Sequence, residues 1–330
     1  MQNKEIKRKQ SGNEKEETKM AMKAINAVWL AKTDLTNLNS GIGGSNLVDV
    51  KKYKDGGKDY PYASGQAMRY YWKEAIRREI ETENYCVAND KGETCGDIEK
   101  CFLCDLFGFM TTIKKGATGG GAKTRISPIK MSPAMGLFPL QDNLTIDFLT
   151  RRKRGEEAGE LKGDIVNVEL TVNLYKAGFS IDVVKIGGEE KIDLKERKSK
   201  GIEYCLKKEN ERKERIKLAL ETFKHISDFS KQARLLTDFS PDIILLSIQE
   251  TYNHLIQKAL ELKTENGKRI NDVDTIRLNE VLSSLEKAKF YAGVLSGTFA
   301  NQEEIKDVLK KYKIEVVTPT KAIDNVIAQI

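Results

Sequence analysis

The chain has 330 residues, of which 39% are hydrophobic and 32% charged, and 56 Lys and Arg against 49 Asp and Glu leave a net charge of +7. That is enough apolar side chain for a core, and the charge excess suits an anionic partner. No apolar run approaches the ~20 residues that span a bilayer. The Lys/Glu-rich start is too polar for a signal peptide, so the chain is expected in the reducing cytoplasm, off the membrane, with its five cysteines as thiols or metal ligands. The only two histidines, His225 and His254, exclude chemistry built on several imidazoles.

Residues 1–19 are polar and unpatterned, as in a disordered arm of mixed charge. Ala21–Thr33, with Ile25, Val28, Trp29 and Leu30, reads as a buried strand. A glycine-rich turn follows over Asn37–Asn46 and fits neither the Walker nor the dinucleotide fingerprint; it is either a solvent loop or a backbone-binding loop. Ser64 is a natural N-cap for a helix from about Gly65 to Glu81. Free N–H groups in its first turn, a glycine at Gly65 and a cation at Arg69 suit a phosphate; an ordinary capped helix packed on a sheet is the other reading.

The cysteines stand as Cys86-x8-Cys95-x5-Cys101-x2-Cys104, a set able to close a tetrahedral zinc site, although the first spacing is unusual. Thr112–Lys123 reads as a mobile basic loop, and Arg125–Leu140 as an interrupted strand. Two β-like runs, Leu144–Leu149 and Ile165–Val184, flank a charged segment. Arg151, Arg152, Lys153 and Arg154 there are either a solvated hairpin tip or a phosphate-gripping finger. The second run alternates at Val166, Val168, Leu170, Val172 and Leu174 and is expected to turn at Lys176–Gly178. A charged stretch over Glu190–Lys217 passes into helical periodicity at Ile216, Leu220, Phe223 and Ile226. Asp242–Ile248 fits a buried strand, Thr251–Leu262 and Val273–Lys289 look helical, and Ile314–Val317 precedes a helix opened by Pro319. Asp34, Asp49 and Asp55 read as turn residues. The pattern is α+β.

In order along the chain, Thr36–Gly44, Tyr60-Pro-Tyr-Ala-Ser-Gly-Gln-Ala-Met-Arg69, Cys104-Asp-Leu-Phe-Gly108 and Arg125-Ile-Ser-Pro-Ile-Lys-Met-Ser-Pro-Ala134 resemble the CRISPR-associated Cas-seven/DevR backbone family, type I-B branch. The resemblance covers roughly residues 20–185. It implies one ferredoxin/RRM-like palm over 20–330, with a finger insertion at about 83–124, a thumb hairpin at about 148–165, a helical insertion at about 190–290 and a helical C-terminal elaboration. It implies non-catalytic binding of CRISPR RNA by stacked copies of the chain, beside other Cascade subunits, in support of pairing with target DNA. Carried onto this sequence, Asn37, Asn39, Ser40, Gly41, Ser64, Gly65, Gln66 and Arg69 would hold guide phosphates, with Lys123 and Arg125 on the finger side and Arg151–Arg154 on the thumb. No aromatic RNP run sits on a strand, which departs from an ordinary RRM. The four cysteines resemble the zinc-bearing insertion of type III relatives. Those relatives cut target RNA with a loop aspartate, which makes a metal-dependent endoribonuclease at Asp49 the alternative.

Overall fold

The computed structural model describes residues 22–38, 47–116, 119–151, 164–193, 195–227 and 235–330. In chain order the elements are β1 (Ala24–Thr36), β2 (Leu47–Val48), β3 (Lys52–Asp55), β4 (Lys58–Ala63), α1 (Gly65–Arg77), α2 (Phe102–Phe107), β5 (Phe109–Gly116), β6 (Gly119–Arg125), β7 (Ile129–Met131) and β8 (Ala134–Gly136). They continue as β9 (Leu144–Arg151), β10 (Asp164–Asp182), β11 (Gly188–Asp193), β12 (Lys198–Tyr204), α3 (Glu209–Phe223), β13 (Ile243–Gln249), β14 (Leu262–Glu265) and β15 (Lys268–Val273). The chain closes with α4 (Thr275–Ser283), β16 (Lys289–Val294), α5 (Gln302–Lys311), β17 (Val316–Val317) and α6 (Pro319–Ile327).

The main sheet runs β17-β16-β13-β1-β10-β8-β4-β3, with β2, β7 and β9 paired along β10. It is mixed: β1 lies antiparallel between β10 and β13, whereas β16 and β17 run parallel. β1 is buried on both faces from Ala24 to Ala31, which is why it reads as a continuous apolar run without alternation. Ile25, Ala27 and Trp29 enter one core with α1, α3 and α6; Val28 and Leu30 enter a second core with α4 and α5. An aromatic cluster fastens α1 and α3 to the first face. Trp29 meets Phe223 edge-on at 4.9 Å, Phe179 meets Phe223 at 4.8 Å, and Trp72 lies 5.0 Å from Phe179. The buried Trp72 Nε1 donates to the Ala219 carbonyl at 2.8 Å, which satisfies the indole and joins the two helices.

Four expectations need correction. β10 does not turn at Lys176–Gly178 but continues to Asp182, with Gly178 opposite Val28. The glycine serves a close approach instead: a Cβ there would lie 1.6 Å from Gln257 Oε1, and Gln257 Nε2 reaches the Ala27 carbonyl at 2.7 Å. Thr112–Gly116 and Gly119–Lys123, expected in a loop, belong instead to β5 and β6, paired in register from Phe109↔Arg125 to Ile113↔Gly121. Thr251–Leu262 is not a helix; it holds one 3-10 turn, Leu255–Lys258, before β14 begins. The stretch 190–290 is not a helical insertion, because it contains the β11–β12 and β14–β15 hairpins and, in β13, a central strand of the main sheet. The arm 1–19 lies outside the described residues.

Candidate nucleic-acid interface and metal centre

Both feet of the glycine loop are anchored to the sheet and to α1. Asn37, only 1% exposed, donates from Nδ2 to the Glu169 carbonyl at 3.0 Å and to the Val48 and Asp49 carbonyls at 3.4 Å. The Tyr71 hydroxyl on α1 donates to the Leu38 carbonyl at 2.5 Å. On the far foot, Val50 N–H donates to Glu169 Oε2 at 2.9 Å, and Lys52 sits 3.6 Å from the same oxygen. Asn37 was expected to touch RNA; its amide is turned inward and shapes the loop instead, since a buried amide must be hydrogen-bonded. Asn39, Ser40 and Gly41 lie outside the described residues.

The first turn of α1 is built as the sequence suggests in one respect and differently in another. Ser64 caps it in an extended conformation, its Oγ accepting from Ala67 N–H at 3.2 Å. Gly65, however, is small because the protein uses the space: a Cβ would sit 3.0 Å from the Met131 carbonyl, with the backbone of Ser132 and Pro133 behind it. That side is closed to a phosphate, while Gln66 is exposed. One turn on, Arg69 Nη2 donates to the Phe107 carbonyl at 2.5 Å, and its guanidinium lies 5.7 Å from the Phe107 ring. Burial holds its pKa below the ordinary arginine value. Lys73, four residues later, lies 5.4 Å from the same ring. Burial lowers its pKa, as do the neighbouring Arg69 and Arg77, while Cys104 and Cys86 pull the other way. Arg77 continues the row, its Nη2 reaching the Cys86 carbonyl at 3.5 Å.

That row faces the cysteines. The four Sγ atoms of Cys86, Cys95, Cys101 and Cys104 all lie within 4.8 Å of one another, with Cys86–Cys104 at 3.6 Å, Cys95–Cys104 at 3.5 Å and Cys101–Cys86 at 3.7 Å. A tetrahedron with Zn–S bonds of ~2.3 Å has S···S edges of about 3.8 Å, close to these three separations, so the donor set suits zinc. The hydrogen bond from Cys101 drops the Cys104 thiol to about 5, while burial raises Cys95 to about 11. Cys101 and Cys104 are buried and sit on α2, whose end is fixed by Gly108. Gly108 has φ +69, and a Cβ there would lie 2.4 Å from the Arg125 carbonyl, so no other residue fits.

Arg125, expected among the RNA-binding cations, is a buried internal clamp. Its side chain is 6% exposed and binds Asp105 Oδ1 at 2.5 Å, the Lys185 carbonyl at 2.7 Å and the Gly188 carbonyl at 2.6 Å. Asp105, fully buried, also accepts from Arg215 Nη1 at 2.7 Å and from Gly187 N–H at 2.9 Å. A guanidinium so surrounded has no open face for a phosphate. Lys123 donates to the Gly96 carbonyl at 3.2 Å and approaches Glu189 at 3.6 Å, which binds the hairpin to the cysteine segment. Sequence reading missed Arg215, Tyr71 and Glu169. Arg215 carried a signal, being a cation four and eight residues before the core positions Ala219 and Phe223 of α3.

In the hairpin of β9 and β10, Arg151 lies opposite Asp164 in the strand register; Arg152, Lys153 and Arg154 lie outside the described residues. Its inner face packs Val166, Val168 and Leu170 with Leu149 and Val48. Its outer face exposes Ile146 at 54%, Phe148 at 66% and Ile165 at 62%. Asp49 has a buried Oδ1 with no hydrogen-bond partner among the described residues. Among those residues, the four cysteines are the single group of three or more His, Cys, Asp and Glu placed to share a metal ion, and Asp49 is not in it. Nor is any described helix long and apolar enough to cross a membrane.

No curated protein sequence matches the chain significantly. A solved structure titled "CRISPR RNA-guided surveillance complex" shares the fold with a TM-score of 0.53 at 14% identity, over 92% of this chain and 98% of the other. A second, "CRISPR RNA-guided surveillance complex, pre-nicking", gives a TM-score of 0.51 at 9% identity, over 92% and 99%. Residues 33–251 match the family described as "CRISPR-associated negative auto-regulator DevR/Csa2". With two thirds of its length inside that match, and the glycine loop, α1 and the tetracysteine segment all within it, the chain belongs to the DevR/Csa2 CRISPR-associated family.

Proposed function

We propose that the chain is a non-catalytic, guide-RNA-binding backbone subunit of a type I-B CRISPR surveillance complex. Several copies stack along one CRISPR RNA in the cytoplasm, beside other subunits of the complex, and help the guide pair with target DNA. The observation that carries this reading is the convergence of the glycine loop and α1: Tyr71 ties the loop's first foot to the helix that carries Arg69 one turn after its start. A phosphodiester approaching from the exposed Gln66 side, away from the closed Gly65 face, meets the helix N-terminus and a cation, chemistry that is indifferent to base identity.

The strand order supports an RRM-like palm. β13, β1, β10 and β7 lie side by side and antiparallel, with α1 between β1 and β7 in sequence and α3 between β10 and β13. Both helices pack on the same face, which is the βαββαβ arrangement of ferredoxin-like domains. In this reading the β5–β6 hairpin and the cysteine segment form the finger, where the four thiolates hold one zinc ion as a structural crosslink. The β9–β10 hairpin is the thumb; exposed Ile146, Phe148 and Ile165 give it apolar surface to bury against a neighbouring copy.

The test is binding of short RNAs of unrelated sequence over a salt series. Affinity should fall with a log–log slope of about −0.7 per phosphate neutralised, alike for every sequence. A strong preference for one sequence that survives high salt contradicts the reading.

A further inference from the structure

We propose that metal occupancy of the tetracysteine cluster sets the affinity of the RNA grip, and that α2 and the Phe107 carbonyl transmit it to Arg69. The inference deepens the functional reading above and rests on Arg69 being a guide contact. The path is short and continuous. Cys101 caps α2 and Cys104 lies inside it, so two of the four candidate ligands are carried by one six-residue helix. A helix of that length has no stability of its own; isolated helices below ~12–15 residues are marginal in water. It is held from outside, by Leu103, Leu106 and Phe107 in the core, by the Asp105 ion triad in its middle and, at its start, by the metal. Three residues after Cys104, its last carbonyl, Phe107 O, accepts from Arg69 at 2.5 Å.

The Phe107 ring extends the same contact. It lies 5.7 Å from the Arg69 guanidinium, 5.4 Å from the Lys73 ammonium and 5.8 Å from the Trp72 ring. Arg69, Trp72 and Lys73, on one side of α1, therefore read the position of one residue of α2. The cluster also meets α1 at its other end, through Arg77 and the Cys86 carbonyl. Without metal, the four sulfurs, all within 4.8 Å of one another, have only weak thiol hydrogen bonds between them. The start of α2 then loosens, the Phe107 carbonyl moves, and Arg69 loses the anchor that orients its guanidinium. Phe107 is a positioning residue in this scheme, and Arg69 the contact it positions.

The experiment is a two-by-two cycle on the full chain, with wild type and Arg69→Ala each loaded with zinc or stripped by a chelator. Affinity for a short fluorescent RNA is the readout, and cobalt(II) thiolate absorption reports occupancy of the cluster. Stripping wild type should weaken RNA binding about tenfold, the size of one charge-assisted hydrogen bond, and reloading should restore it. Stripping Arg69→Ala should change little, because the contact that the metal positions is already gone. Trp72 fluorescence should shift on stripping in both proteins, which shows that α2 moves even where RNA affinity does not. Equal losses on stripping in both proteins mean general unfolding and overturn the coupling; so does a wild type whose affinity ignores the metal. If Arg69→Ala binds RNA as wild type does when both are loaded, the grip itself is misplaced and the coupling falls with it. If Arg69→Ala weakens loaded protein while metal has no effect, the grip stands and the coupling alone fails.

Discussion

Asp105→Ala should be among the most destabilising single changes in the protein. The carboxylate is fully buried and joins Arg125 at 2.5 Å, Arg215 at 2.7 Å and Gly187 N–H at 2.9 Å. Its removal leaves two guanidinium charges whose side chains are only 6% and 4% exposed. Breaking a buried ion pair from one side costs about 3–5 kcal/mol, because the orphaned charge cannot regain water. The arginines keep carbonyl partners at Lys185, Gly188, Ile98 and Glu99, so the loss should sit near the lower end, about 3 kcal/mol. Against a typical total of about 5–15 kcal/mol that is a large share. Urea unfolding followed by tryptophan fluorescence measures it as a lower midpoint at unchanged slope. A loss below about 1 kcal/mol would refute the reasoning, since that is the worth of a pair already open to solvent.

Metal analysis of protein purified without added zinc should find one equivalent, and binding should weaken as pH falls because thiolates must take up protons to release the ion. Substantially less than one equivalent contradicts the assignment. Gly108→Ala, forced into a positive φ and toward the Arg125 carbonyl, should cost more than the about 1 kcal/mol of an ordinary glycine replacement and lower the thermal midpoint clearly. Replacing residues 152–161 by a short Gly-Ser turn should leave monomer unfolding nearly unchanged yet prevent ordered multimers on guide RNA, seen by electron microscopy. Normal helical assemblies from that variant would remove the thumb assignment.

What could be read from the sequence was what local chemistry decides. The buried run of β1, the Ser64 cap, the apolar strand β13 and the Thr318–Pro319 opening of α6 all depend on neighbours within a few residues. The four cysteines were legible as a set because their chemistry is specific, and the fold does gather their sulfurs. The illegible parts depend on partners far along the chain. Gly178 looks like a turn until Gln257, 79 residues away, occupies the space above it. Arg125 looks like a free cation until Asp105 and the carbonyls of Lys185 and Gly188 enclose it. Asn37 looks like a loop residue offered to a ligand, yet Glu169, 132 residues on, accepts its amide. Thr251–Leu262 has helical spacing, but Asn253 binds Gln249 and the Leu255 N–H, and the local turn prevails over the longer helix.

The central claim, that guide phosphates are held where the glycine loop meets α1, is tested most directly by photocrosslinking. A guide carrying 4-thiouridine at successive positions would be bound to the full chain, irradiated, digested and mapped by mass spectrometry. The account predicts crosslinks concentrated in residues 33–51 and 61–73 wherever the label is placed, because the grip is independent of base identity. Crosslinks confined to the face formed by α4 and α5, with none in those two segments, would contradict it.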